Sequence, residues 1–321
     1  MKAAVLTRFD SPLEVTEVAD PSPGPGEVLV RVRAAGLCGT DLNVVAGTLP
    51  GLALPLVPGH EIAGEVVGDG TAVACYHYEP CGRCRYCLAG DEALCPDAAR
   101  VGRSRDGGLA ELVVMREENV FPFAGLDPAL AAVAMDAVAT PWRALHRRAQ
   151  LRPGEHLAVA GAGGLGSNAI QIAVDLGASV AVVDPDPGAR TRALALGAEA
   201  AVAPEDAGEL GGWADAGLEA SGRRGGFDAL VAALRPGGRI VCCGYAPGAP
   251  YELDSMRLVL AELSVLGSRA ASREDARAAL AAVAEGRVVP QIDRTLPLDR
   301  VNDGLDLLRD GGLAGRVVIV P

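Results

Sequence analysis

The stretch Leu157-Ala158-Val159-Ala160-Gly161-Ala162-Gly163-Gly164-Leu165-Gly166 decides the fold. Its glycines are spaced G-x-G-x-x-G, a weak signal alone and a strong one in the right surroundings. Here an apolar strand precedes the glycines, a helical pattern over 167–176 follows, and a second apolar strand over 179–183 comes next. That strand closes on Asp184, 18 residues beyond Gly166. This order fits a dinucleotide pyrophosphate seated on a helix N-terminus. Gly161 makes the tight turn, Gly163 lets the backbone approach the phosphates, and Gly166 packs helix against strand; Gly164 and Leu165 complete the loop. Asp184 can accept both ribose hydroxyls and repels a 2′-phosphate, which favours NAD over NADP. The bland alternative is a glycine-rich turn that binds nothing.

Working outward, the alternation continues with a helix over 188–196, strands at 200–202 and 218–220, and a helix over 227–234. A Pro236-Gly237-Gly238 turn and a strand over 239–243 follow. Strands alternating with helices predict a parallel sheet with crossovers. Upstream, Asp127-Pro128 opens an alanine-rich helix over 129–138, and a second helix runs over 141–149. The first third reads differently. Short strands at 3–6, 27–33, 62–67 and 109–115 are separated by turns, and Glu27 to Arg33 alternate as a half-buried strand should. The tail, 316–320, is a further strand.

Composition bounds what the chain can do. Its 321 residues suit one large domain or two ordinary ones, and 50% hydrophobic content supplies a core, built from aliphatic side chains because only 3% are aromatic. A net charge of −12 and a pI near 4.9 argue against nucleic acid and anionic membranes as partners. No run is long and apolar enough to span a bilayer, and residues 1–9 lack the layout of a secretory signal, so the expected location is the cytoplasm. Nearly all 29 basic residues are arginine, Lys2 being the one lysine, which reads as coding bias.

Eight cysteines are many for a reducing compartment, and four of them cluster. Cys81, Cys84, Cys87 and Cys95 read C-x-x-C-x-x-C-x7-C, a spacing that can wrap four thiolates around a structural zinc with no open position. Two disulfides, an iron–sulfur cluster or four unrelated thiols are the alternatives. Two other segments carry candidate ligands for an open, catalytic zinc: Gly36-Leu37-Cys38-Gly39-Thr40-Asp41 and Pro58-Gly59-His60-Glu61. Taken singly, Cys38 reads as a small buried hydrophobe and His60 as a satisfied polar side chain.

With the glycine loop, the cysteine lobe and these two segments in one order, the chain resembles the zinc-containing medium-chain alcohol dehydrogenases. The likeness extends to Asp106-Gly107-Gly108, to 136–145, to Glu219-Ala220-Ser221-Gly222 and to Leu266-Gly267-Ser268. The resemblance implies an α/β chain: a GroES-like β-rich catalytic domain (1–135, completed by 270–321) and a Rossmann doubly wound parallel-sheet domain (136–269). It implies two zinc ions per chain, NAD, and an alcohol, ketone or aldehyde as substrate. It also implies a homodimer or homotetramer. Cys38, His60 and Asp136 are the implied catalytic zinc ligands, although Asp136 alone would read as a helix-face acid or cap. Glu61 matches an acid beside the metal, Thr40 the hydroxyl that hands on the substrate proton, Thr140 a residue beside the nicotinamide, and Arg316 a base near the pyrophosphate. Three departures stand out. Asn43 occupies a position where many relatives have a titrating histidine, the 67–71 turn is short, and Gly39 replaces a basic residue that some relatives use on the pyrophosphate. Secondary alcohols, polyols and cyclitols are the expected substrates. A zinc-independent reductase of activated double bonds and a non-catalytic binding protein are the rival readings.

Overall fold

The computed structural model describes residues 1–321. The chain forms two compact units. The first comprises 1–136, 271–285 and 292–321; the second comprises 137–270 and 286–291.

The second unit is a six-stranded, all-parallel sheet. Its spatial order is Ala200–Val202, Ser179–Val183, His156–Ala160, Ala214–Glu219, Leu234–Cys242, Ser264–Gly267, so in sequence terms the strands run 3-2-1-4-5-6. Leu157, Ala158, Val159 and Ala160 are all fully buried, as expected where helices cover both faces of a parallel sheet. The direction in which strands are added reverses between the first and fourth strands, and Ala160 pairs with both Val183 and Glu219 at that switch point. Crevices outside the carboxyl ends of strands at such points are where doubly wound sheets bind ligands. Residues 286–291 join this unit because Gln171 exchanges hydrogen bonds with Val289 (3.1 and 2.8 Å) and Arg287 pairs with Asp175 at 2.7 Å.

The first unit is built on a seven-stranded sheet. Its order is Ile292–Pro297, Arg316–Val320, Glu27–Leu37, Glu61–Val66, Ala72–Cys75, Val120–Pro122, with Leu112–Arg116 also paired to Glu27–Leu37. All pairings are antiparallel except that of the first two strands. Val30 and Val32 point inward while Arg31 and Arg33 stay exposed, so the predicted alternation is present; beyond Ala34 the strand is buried throughout. Leu6, Leu37, Ile62, Leu109, Met115 and Ile319 belong to its core.

Three local expectations need correction. The strand expected at 218–220 runs Ala214–Glu219, since Ala-Asp-Ala-Gly carries little intrinsic strand signal and is held by its parallel neighbours. The turn expected at Pro236-Gly237-Gly238 lies inside the strand Leu234–Cys242, where the pairing register shifts. The helices expected at 129–138 and 141–149 are α-helical only over Pro128–Val133 and Ala139–Arg143; each continues as a π-helical turn, Ala134–Val138 and Ala144–Ala149. No helix is long and apolar enough to cross a membrane.

Candidate active site and metal centres

Cys38 ends the long strand Glu27–Leu37 and caps the short helix Gly39–Val45, in extended conformation. His60 and Glu61 open the neighbouring strand Glu61–Val66, which pairs Gly36 opposite Glu61. Asp136 lies in the π-helical turn that follows Pro128–Val133. A π turn inserts one residue into the helical count and re-aims the side chains after it. The result brings together groups up to 98 residues apart: donor atoms of Cys38, His60, Glu61 and Asp136 all lie within 4.8 Å of one another. Cys38 Sγ is 3.6 Å from Asp136 Oδ2, and His60 Nε2 is 3.8 Å from the same oxygen. Neighbouring ligands around a tetrahedral zinc, about 2.0–2.3 Å from its centre, are separated by roughly these distances.

The charge balance of this cluster points the same way. Cys38, Asp41, Glu61 and Asp136 are acids in a buried site, and Arg316 is its fixed cation. Arg316 Nε donates to Glu61 Oε1 at 3.0 Å, Nη2 lies 2.8 Å from that oxygen, and Nη2 is 3.5 Å from Asp136. Burial pushes the Glu61 carboxyl up to about 8 against the pull of Arg316, with Asp136 adding to the rise. Burial also acts to raise Asp136, but the His60 hydrogen bond and the charges of His60, His77 and Arg316 hold it far below the carboxylate range. For His60, burial favours the neutral ring, yet Asp41 and Asp136 raise its proton affinity well above normal. Glu61 Oε2 has no hydrogen-bond partner, and Asp41 Oδ1 and His60 Nδ1 face only each other. A buried set of anionic donors with an orphaned carboxylate oxygen is a set that a divalent cation satisfies.

Sequence reasoning did not assign Asp41 a role. Its Oδ2 accepts the Cys38 N–H at 2.8 Å, and its Oδ1 stands 3.3 Å from His60 Nδ1. A carboxylate behind a ligand imidazole orients the ring and leaves the other nitrogen free to coordinate. Glu61 is accommodated because Gly36 faces it, where a Cβ would lie 2.1 Å from Oε2. Arg316, expected near a pyrophosphate, has its guanidinium on Glu61. Thr40 is half-buried in the first turn after Cys38, and Asn43 follows one turn later in the same helix.

The four-cysteine lobe closes on itself. Sγ atoms of Cys84 and Cys87 are 3.4 Å apart, those of Cys81 and Cys87 are 3.9 Å apart, and all four lie within 4.8 Å. Sulfurs placed about 2.3 Å from a tetrahedral centre are about 3.8 Å apart. Every cysteine is a free thiol, which removes the disulfide alternative. Backbone N–H groups of Arg83 and Cys84 stabilise the Cys81 thiolate and draw its pKa down to about 6.

In the second unit the glycine loop lies at the switch point. Gly161 is left-handed (φ 87°), and its N–H bonds Val183 O at 2.9 Å. A Cβ on Gly166 would lie 1.8 Å from Gly161 O, whereas one on Gly163 meets nothing within 4 Å. Gly166 thus tightens the turn, and Gly163 leaves open space over it. Gly164 O and Ala137 O accept from Asn168 Nδ2 at 2.9 and 3.0 Å, and Leu165 caps the helix Gly166–Asp175. Asp184 Oδ2 accepts the Ala162 N–H at 2.7 Å and Oδ1 the Asp186 N–H at 2.8 Å, tying the carboxylate to the loop. Each oxygen retains a lone pair for a further donor. Glu219, unassigned by sequence, accepts the N–H groups of Ser221 (3.0 Å) and Gly222 (3.1 Å) and the hydroxyls of Ser221 and Tyr251. It thereby fixes the turn against which Gly161 packs. Thr140 is buried in Ala139–Arg143.

Comparison with known proteins agrees. Residues 24–125 match the alcohol dehydrogenase GroES-like domain and residues 164–285 the zinc-binding dehydrogenase model. An alcohol dehydrogenase of Moraxella sp. (strain TAE123) is 34% identical, with 99% of each chain covered. An acryloyl-coenzyme A reductase of Metallosphaera sedula is 32% identical, also with 99% of each chain covered. A cobalt- and zinc-bound thermostable alcohol dehydrogenase from Pyrobaculum aerophilum superposes with a TM-score of 0.92 at 32% identity, covering 100% of this chain and 99% of that one. Such identity over the full length establishes an oxidoreductase lineage, and the chain belongs to the zinc-type medium-chain alcohol dehydrogenase family.

Proposed function

We propose that the protein exchanges a hydride between NAD and an alcohol or carbonyl substrate, with one zinc held by Cys38, His60 and Asp136 and a second by Cys81, Cys84, Cys87 and Cys95. The observation that carries this reading is the convergence of the Cys38, His60, Glu61 and Asp136 donors within 4.8 Å. A thiolate, a carboxylate and a neutral imidazole match the charge of Zn²⁺ and provide three ligands, the number typical of a catalytic site. When bound, zinc supplies Lewis acidity towards an oxygen, and NAD supplies the hydride acceptor or donor. The rest is the work of the chain. Asp41 holds the His60 ring in place. Arg316 keeps the Glu61 carboxylate turned to the cluster. Thr40 takes the substrate proton at its hydroxyl and hands it to water or to a ribose hydroxyl, because Asn43 cannot titrate. The glycine loop offers main-chain N–H groups to the pyrophosphate, and Asp184 accepts from the ribose and disfavours a 2′-phosphate.

Secondary alcohols, polyols and cyclitols are the substrates to screen first. A homodimer or homotetramer is proposed through the open edge strand Ser264–Gly267 and the preceding helix, where Met256, Val259 and Leu260 are 67%, 68% and 76% exposed. Light scattering on a Leu260→Glu variant tests it.

Metal analysis of Asp136→Ala tests the central assignment. The expected result is one zinc per chain and loss of turnover; two zinc ions with full turnover refute it. The relative that reduces acryloyl-coenzyme A favours a second reading, reduction of an activated double bond without metal. Chelator-resistant NAD(P)H-linked reduction of such a substrate would establish it.

A further inference from the structure

Asn168 is 1% exposed in the helix Gly166–Asp175 of the second unit. Its amide nitrogen donates twice, to Gly164 O at 2.9 Å and to Ala137 O at 3.0 Å. Two carbonyl acceptors fix which end of the amide is nitrogen, because an oxygen there could bond neither. The remaining polar atom, Oδ1, is buried and has no hydrogen-bond partner. Leucine would fill the same space without that penalty, so the two donors are what the amide contributes. Gly164 belongs to the loop that offers N–H groups to the pyrophosphate. Ala137 directly follows Asp136 in the π-helical turn Ala134–Val138. In an α-helix the Ala137 carbonyl would accept from the residue four positions on, but that residue is Pro141, which has no N–H. Asn168 supplies a donor in its place. One planar group with both N–H bonds committed therefore ties two stretches of main chain, and displacing either carbonyl strains the bond to the other.

We propose that Asn168 is a positioning residue that couples dinucleotide binding at the glycine loop to metal retention at Asp136. This rests on reading Asp136 as a metal ligand and the loop as the pyrophosphate site. Binding at the loop selects one position of Gly164, the amide passes that choice to Ala137, and the Asp136 carboxylate one residue back is presented accordingly. Ordering the loop removes freedom that metal binding must otherwise remove, so the coupling is positive. It is also reciprocal: the factor by which NAD tightens the metal is the factor by which the metal tightens NAD.

The test equilibrates the full-length, zinc-loaded protein with a graded series of a competing chelator, with and without saturating NAD, and counts zinc per chain after desalting. In the wild type, NAD should raise the chelator concentration that removes half of the more labile ion by at least about fivefold, the lower end of ordinary coupling. In Asn168→Leu that factor should fall below about two, while titration calorimetry shows NAD still bound. Asn168→Ala, which cannot overpack the site, should give the same result. A purely structural role would weaken metal and NAD separately and leave the factor unchanged. A wild-type factor under five, or a factor of two or more in both variants, overturns the proposal. If the wild type binds no NAD or holds no second, labile zinc, the dehydrogenase reading itself fails, an outcome distinct from loss of the coupling alone.

Discussion

Alanine at Gly166 and alanine at Gly163 should have opposite consequences, although the two residues are three apart in one loop. A Cβ at 166 would lie 1.8 Å from the Gly161 carbonyl oxygen. Carbon and carbonyl oxygen ordinarily approach to about 3.3 Å, so some atom must move by about 1.5 Å. The turn is not free to do so. Gly161 N–H is bonded to Val183 O at 2.9 Å, Ala162 N–H to Asp184 at 2.7 Å, and Ala160 O receives the Ala220 N–H at 3.0 Å. Overpacking of this kind costs about 1–3 kcal/mol, and each lost hydrogen bond about 1 kcal/mol more. A total of about 3 kcal/mol lowers Tm by roughly 10 °C for a unit of this size. Gly163 is different: it is not left-handed, and its Cβ position is open. Alanine there should change stability by less than about 1 kcal/mol, yet occupy the space left for the pyrophosphate and weaken NAD at least tenfold. Scanning calorimetry and calorimetric NAD titration of both variants measure this. A Gly166→Ala protein that melts within 2 °C (about 0.5 kcal/mol) of wild type, or a folded Gly163→Ala protein that binds NAD normally, refutes the reasoning.

Four further outcomes are expected. Arg316→Met leaves the buried Glu61 carboxyl without its hydrogen-bonding cation and should destabilise by about 1.5–3 kcal/mol; adding Glu61→Gln should recover much of this, and additive losses in denaturant unfolding would contradict the pairing. In metal-stripped protein, Glu61 at about 8 keeps its proton in the native state where the unfolded chain, near 4.5, has lost it. Its contribution therefore falls as pH rises between those values, and Glu61→Gln should flatten that part of the stability–pH curve. Cys95→Ser should leave one metal ion per chain and open residues 81–95 to limited proteolysis; retention of two ions speaks against the thiolate cage. Burial raises the Cys242 thiol to about 11, so its alkylation at pH 8, followed by mass spectrometry, should run at least tenfold slower than that of a free cysteine.

What the sequence made legible was local. The glycine loop and the cysteine lobe each fit within about twenty residues, so spacing alone suggested their geometry. Cys38 and His60 read singly as ordinary residues and became candidate ligands through their glycine-flanked segments, whereas only a family resemblance joined Asp136 to them, because the strand pairing that aligns Gly36 with Glu61 leaves no periodic mark. The π turn carrying Asp136 was invisible for a related reason: Ala134-Met135-Asp136-Ala137-Val138 has the composition of an ordinary α-helix. Asp41 escaped because its role depends on His60, which the fold brings to it, and a carboxylate in isolation reads as a surface group.

Strand Arg316–Val320 pairs with Glu27–Leu37 and carries the counter-ion of Glu61. During synthesis, every candidate ligand up to Asp136 emerges well before residue 316. A nascent chain that has made the first 136 residues can fold its antiparallel strands locally, yet it would have to seal an acid inside with no guanidinium opposite. The centre is complete only once that pairing, which spans almost the whole chain, has formed, and contacts of such sequence separation are among the slowest to form.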